Sequence, residues 1–353
     1  MDSRRKRRND KSLPEGAFLI LSDLKGVLIM KLSIIKCHGS GNDFIIIDEM
    51  DQPDRFTEEE RRSLSILLSD RKGKIGSDGL LFIQNSEHCD ARMRMFNSDG
   101  TEAEMCGNGL RCVARYAIEK LGKKHLVIET MKADLPVRQT EDLYPDMKTY
   151  EVAIEPVSLD PVSLPLKTVH APHIDRPIPA LSDNLSFTAL SVPNPHVVTK
   201  VNDVPHRDAE SIGRLANDLS DIFPNGVNVS FMKPLTKNQI FVQTYERGVG
   251  LTNACGTAMS ASSLVSVLNA GNDLNEVITV FNPGGMVQTV VHQEDEVYTI
   301  KLRGNATYEY SSDLEADLDH GYIEQLRVER YTDEEELYEK VAEEAKRLVR
   351  NLS

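Results

Sequence analysis

Two cysteines carry the chemistry this sequence offers. Cys106 and Cys255 each stand directly before a glycine. Each follows polar turn text and precedes helix-like text, over residues 110–117 in one case and 258–268 in the other. A sulfur so placed sits at a helix N-terminus, where unpaired backbone N–H groups and the helix dipole favour a thiolate and bind anions. The adjacent glycine lets a ligand come close to the backbone. A single cysteine of this kind is more often a small core residue. Two in matching positions are a candidate pair of acid/base thiols. Cys37, Cys89 and Cys112 have no counterpart elsewhere in the chain and read as structural.

The match between the two cysteines belongs to a wider internal repeat. Asn42 in Gly41-Asn42-Asp43-Phe44 recurs as Asn194 in Pro193-Asn194-Pro195-His196, at an interval of 152 residues. Phe96-Asn97 recurs as Tyr245-Glu246, and Cys106-Gly107-Asn108 as Cys255-Gly256-Thr257, both at an interval of 149. Identity is low, but order and spacing agree. The consequence is two half-alike domains facing each other across a cleft, with one cysteine from each at a pseudo-symmetric site.

The elements that must position these residues are partly legible. Phe44-Ile45-Ile46-Ile47 and Leu80-Leu81-Phe82-Ile83 are apolar enough to be buried strands. Thr57 and Glu60 have capping-box spacing ahead of Leu64, Leu67 and Leu68, which predicts a helix from about residue 57. Prolines 161, 165, 172, 177 and 179 mark irregular or strand-edge structure. Near the C-terminus Thr332 and Glu335 repeat the capping spacing, and Leu337, Val341, Ala345 and Leu348 fall on one face of an amphipathic helix. The expected organisation is an N-terminal extension over 1–30, disordered, and two halves over 31–150 and 151–304. A strand over 305–311 returns to the first half, and an extension over 312–353 follows.

Composition narrows the class. The 353 residues are 40% hydrophobic with a net charge of −14, which suits a soluble globular protein and disfavours a nucleic-acid binder. Six of the first eleven residues are basic, but Met30-Lys31 opens a strand-like run that needs nothing before it. No apolar stretch reaches the length of a membrane span, and residues 17–30 are broken by Asp23 and Lys25, so neither a span nor a signal peptide is expected. Five sparse cysteines with no CxxC pair point to a reducing cytoplasm, without disulfides or a structural metal site.

The ordered motifs resemble the diaminopimelate epimerase family, from Lys31 to about Tyr310. They are His38-Gly39-Ser40-Gly41-Asn42-Asp43-Phe44, Phe96-Asn97-Ser98-Asp99-Gly100 and Cys106-Gly107-Asn108-Gly109-Leu110-Arg111-Cys112, followed by Asn194-Pro195-His196, Gly226-Val227-Asn228, Tyr245-Glu246-Arg247-Gly248 and Ala254-Cys255-Gly256-Thr257. The resemblance implies an α/β (α+β) fold of two pseudo-symmetric domains, each a curled, mostly antiparallel sheet around a central helix. It implies cofactor-independent epimerisation of L,L-diaminopimelate to meso-diaminopimelate, with Cys106 and Cys255 as acid and base on opposite faces of the α-carbon. His196 would pair with Cys106, and Glu246 with Cys255. The substrate would meet the amides of Gly107, Asn108, Gly256 and Thr257, and the side chains of Asn42, Asn97, Asn194, Asn228 and Arg247. The last can hold a distal carboxylate bidentately. No metal, nucleic acid or membrane partner is implied, and a homodimer is allowed.

Other readings use the same residues less well. Pro193, Leu251 and Ala258-Met259-Ser260 depart from the family pattern and leave open a racemase of histidine or a proline derivative. A pyridoxal enzyme would need a Schiff-base lysine in a phosphate-binding setting, and no such constellation stands in the chain. Residues 73–79 are glycine-rich but neither a Walker sequence nor a dinucleotide fingerprint, and read as a turn. A thiol oxidoreductase would need an electron-donor site, and a catalytically dead binding protein would have no use for both cysteines, His196 and Glu246.

Overall fold

The computed structural model describes residues 21–22, 28–52, 55–204, 206–269 and 271–352. Most of the expected N-terminal extension lies outside the described residues. Leu21 and Ser22 pair with Ile29 and Leu28, and the first long strand begins at Leu28. Met30 belongs to that strand because it packs on the apolar layer beneath.

Two runs of ten elements follow each other in the same order. The first is Leu28–Gly39, Asn42–Asp48, helix α1 (Glu58–Ser69), Gly79–Gln84, Ala91–Asn97, Glu102–Ala103, helix α2 (Gly107–Leu121), His125–Glu129, Asp134–Thr140 and Thr149–Ile154. The second is Ser186–Ser191, Pro195–Lys200, helix α3 (His206–Asp218), Asn228–Thr236, Gln239–Glu246, Gly250–Thr252, helix α4 (Gly256–Leu268), Val277–Asn282, Gly285–Glu294 and Val297–Asn305. The pairings repeat as well. Asn42–Asp48 runs parallel to Gly79–Gln84 as Pro195–Lys200 runs parallel to Asn228–Thr236, and most other pairs are antiparallel.

The unbroken apolar runs in the sequence exist because each half covers its sheet on both faces. Phe44, Ile46, Leu81 and Ile83 point to the core that holds α2, while Ile45, Ile47, Leu80 and Phe82 point to the layer under α1. In the second half Val198 and Met232 face the core of α4, and Val197, Val229 and Phe231 face a separate cluster with Ala209 and Ala216 of α3. The sheets thus curl around α2 and α4, which are buried from Gly107 to Ile118 and from Gly256 to Ser266. Thr57 caps α1 as its spacing predicts, accepting from the Glu60 amide while the Glu60 carboxylate accepts from Thr57 N.

The halves share one sheet. Thr149–Ile154 pairs antiparallel with Val297–Asn305, and Thr307–Asp317 returns to lie along Leu28–Gly39. That returning strand runs six residues past 311. It turns at Gly321, whose φ of +63° suits glycine, into a further strand, Tyr322–Arg330. Helix α5 (Thr332–Leu352) closes the chain, burying Val341 and Ala345 and half-burying Leu337 and Leu348. Among the described residues no helix is long and apolar enough to cross a membrane.

Candidate active site

Both cysteines occupy the N-cap position of a central helix, in extended backbone (φ −147° at Cys106, −126° at Cys255). The two helices meet N-terminus to N-terminus. A Cβ placed on Gly256 would lie 3.2 Å from the Cα of Gly107 and 3.1 Å from Leu302 Cδ2. Glycine at both positions is what lets the two helix starts come this close. Unpaired amides from both halves are thereby gathered at one spot, beside two thiols.

Around Cys106 the contacts come from its own half. Its Sγ accepts from the Gly109 amide at 3.4 Å and lies 3.8 Å from Asn42 Oδ1, as donor. Asn42 Oδ1 also accepts from Asn108 Nδ2 at 3.1 Å, and Asn42 Nδ2 donates to Asp78 at 2.6 Å. Asn108 reaches across to the second half, donating to the Ala254 carbonyl at 3.3 Å, while its buried Oδ1 has no protein partner. Burial pushes the Cys106 thiol up to about 12, with the Gly109 amide opposing and the Glu246 charge adding.

Cys255 stands 3.4 Å from Thr257 Oγ1. Its thiol is pushed well up by burial and then by the Glu246 charge, against the pull of Thr257 and the Ala258 amide. Glu246 is itself raised by burial, although hydrogen bonds to Thr252 and Cys255 hold it back. Glu246 thus lies within hydrogen-bonding reach of Cys255. The nearby Cys106 sulfur adds a smaller upward push on Cys255.

His196 makes no hydrogen bond to Cys106. His196 is fully buried in the second half, in register with Asn228 on the adjacent parallel strand. Its Nε2 lies 2.8 Å from Asn194 Oδ1, and its Nδ1 has no protein partner. Burial, reinforced by the Arg247 charge, lowers it to about 3. The imidazole is therefore neutral, with Nε2 held by Asn194 two residues earlier and Nδ1 left without a protein partner. Arg247 stays at the rim with an exposed side chain. Its amide donates to Asn228 Oδ1 at 2.9 Å and its guanidinium to the Asn225 carbonyl at 2.7 Å. Asn97 ends its strand as Glu246 ends the equivalent one, with its side chain on Thr101 Oγ1 at 3.0 Å.

The sequence reading assigned no role to several neighbours. Asp78 anchors Asn42, and Arg71 binds both Asp78 and Asp43. Arg111 is wholly buried under the site, donating to Ser40 Oγ and the Asn305 carbonyl, both at 3.1 Å, and burial lowers it to about 10. Nothing in its local sequence marks it, since α2 carries Arg115, Glu119 and Lys120 as well. Cys37 and Cys112 are buried against one another, away from these contacts. Among the described residues His88, Cys89 and Asp134 are close enough together to hold a metal ion, but they share no residue with the cysteine site.

Two histidines near the site are buried neutral, His196 and His38, the latter lowered to about 4 by burial. A histidine whose folded pKa lies below its unfolded value, about 6.5, contributes stability that is complete above that pH and lost as pH falls. The unfolding midpoint should be flat above about pH 6.5 and fall as pH is lowered toward 4, with a shallower slope in His196→Gln. A variant with the wild-type slope would refute neutral burial of that ring.

Duplicated halves that bring one thiol each to facing helix N-termini define a class of isomerase, amino-acid epimerases and racemases. The chain belongs to the diaminopimelate epimerase family, whose family model matches residues 34–150 and 188–308, one stretch in each half. It is 44% identical over 313 residues to the diaminopimelate epimerase of Clostridium acetobutylicum, covering 88% of this chain and 92% of that one. To the diaminopimelate epimerase of Enterococcus faecalis it is 48% identical over 285 residues, covering 79% and 87%. Its fold is similar to a hydroxyproline epimerase from Agrobacterium vitis (TM-score 0.60, 12% identity, 81% and 93% covered). A PhzF-family phenazine biosynthesis protein of Bacillus anthracis is also similar (0.59, 18%, 80% and 98%).

Proposed function

We propose that this enzyme interconverts L,L- and meso-diaminopimelate by exchanging the hydrogen of one α-carbon between two thiols, without a cofactor. The observation that carries the reading is the pair of cysteines at facing helix N-termini. Glu246, a carboxylate raised by burial and bonded to Cys255, takes that thiol's proton. The resulting thiolate removes the α-hydrogen, and the Cys106 S–H, oriented by Asn42, returns a proton from the opposite face. The roles exchange for the other enantiomer.

The α-hydrogen of an amino acid is a very weak acid, so the developing negative charge must be stabilised. The substrate carboxylate would accept the amides at the starts of α2 and α4, at Gly107, Asn108, Gly256 and Thr257, where both helix dipoles converge. Asn108 and Thr257 are nearly inaccessible, which keeps water from competing there. Arg247 would take the distal carboxylate, with Asn97, Asn194 and Asn228 around the distal amine. The free thiols suit a reducing cytoplasm, and a homodimer is compatible with the reading.

The test is incubation of purified protein with L,L-diaminopimelate, L-histidine or L-proline in deuterium oxide. The expected result is exchange and inversion with diaminopimelate alone, the product carrying deuterium at the inverted centre from its first appearance. Early product that retains protium there would mean a single shuttling base. Turnover of histidine or proline instead would leave the two thiols standing and move the substrate.

A further inference from the structure

We propose that Tyr338 is a positioning residue for the two-thiol reaction, joining the loop that carries Asn42 to the loop behind Cys255 so that α5 straps the two halves in register. The inference rests on the proposed reaction for its catalytic consequence, though not for its geometry. α5 lies wholly beyond residue 308, where the match to the family model ends.

The contacts are specific. The Tyr338 ring packs on His38, with centroids 4.2 Å apart and planes at 60°. Its hydroxyl donates to the Gly284 carbonyl in the second half. A Cβ on Gly41, the neighbour of Asn42, would lie 3.1 Å from that hydroxyl oxygen. The two loops so joined also touch directly, since a Cβ on Gly284 would stand 2.4 Å from the Ser40 carbonyl oxygen. Each leads to a thiol. Gly284 N donates to the Asn253 carbonyl at 2.9 Å, two residues before Cys255, and Asn42 Oδ1 faces Cys106.

The same helix is fastened on both sides of this point. One turn earlier Glu334 accepts two hydrogen bonds from Arg115 of α2, at 2.5 and 2.7 Å, and Arg115 is buried. One turn later Ala342 lies about 4 Å from where a Cβ on Gly285 would stand. The first contact ties α5 to the helix that bears Cys106, the second to the strand behind Cys255. Two thiols can act on one carbon only if the halves hold a fixed register, because misplacement by about 1 Å can cost about a hundredfold in rate. A helix bound to both halves at their closest approach supplies that constraint.

The experiment uses the full chain with Tyr338→Phe, which keeps the ring on His38 and deletes the bond to Gly284. The first readout needs no substrate: alkylation of each cysteine by iodoacetamide, followed by peptide mass spectrometry, with Cys37 and Cys112 as internal references. Cys106 and Cys255 should both react about three- to tenfold faster than in wild type, the factor expected for one lost hydrogen bond, while Cys37 and Cys112 do not change. The second readout is diaminopimelate kinetics, where kcat should fall by a similar factor with KM within about twofold and the melting midpoint lowered by no more than about 4 °C. Gly284→Ala, which parts the same loops from the other side, should reproduce both effects and carries the test if Tyr338→Phe does not fold. Unchanged reactivity of both thiols, or faster reaction at all four cysteines, overturns the strap. If wild-type protein does not turn over diaminopimelate, the alkylation result still decides the strap.

Discussion

Replacement of either Cys106 or Cys255 by alanine is expected to abolish epimerisation and leave the fold intact. Removing a general acid or base typically costs about 10²–10⁴-fold in rate, and here each thiol is the only proton carrier on its face of the substrate in the proposed reaction. The structural loss is small. Alanine keeps the Cβ, and the interactions given up are the weak sulfur contacts of Cys106 with Gly109 and Asn42 and of Cys255 with Thr257 and Glu246. Inversion followed by chiral chromatography, beside thermal unfolding of the same samples, separates the two effects. Near-normal inversion by both variants would end the two-thiol reading.

Glu246→Gln should cost a comparable factor, about 10²–10⁴-fold, and should also reshape the pH profile. Glu246 is raised above the ordinary carboxylate range by burial. Its charged form is the one that accepts the Cys255 proton, so activity should fall as pH drops through that raised value. In Glu246→Gln the acid limb should disappear, leaving a low rate that rises only where the thiol ionises unaided. A variant that keeps both the rate and the acid limb would show that another group deprotonates Cys255.

What the sequence disclosed follows from what repeats in it. The interval of 149 residues between the Cys-Gly steps was enough to expect two like halves, and the strands through Phe44 and Leu80 were visible because each is covered on both faces. The contacts of the His196 ring were not legible, because a linear motif says nothing about which neighbour a ring nitrogen meets. Asn194, brought back onto the ring by the turn before Pro195, takes Nε2, while Nδ1 has no protein partner. The strand Tyr322–Arg330 was missed although Tyr322, Glu324 and Arg327 flank a single inward Ile323, since one buried residue makes a faint alternation. Arg111 and Tyr338 were obscure for another reason. Their importance lies in contacts with residues distant in the chain, such as Asn305 and Gly284, which no local pattern records.

The returning strand Thr307–Asp317 has a bearing on biosynthesis. The side chains of Ser33 and Asp313, which bond to each other along this strand pair, are 280 positions apart in the chain. During translation the first half therefore emerges from the ribosome with one flank of Leu28–Gly39 unpaired, and it stays so until almost the whole chain has been made. Pairings of such long range are slow to form, and an open strand edge invites association with other chains in the interval. The nascent first half is the stage at which a holding chaperone has most to protect. A gene split between the halves would yield an N-terminal product that lacks the strand needed to finish its own sheet.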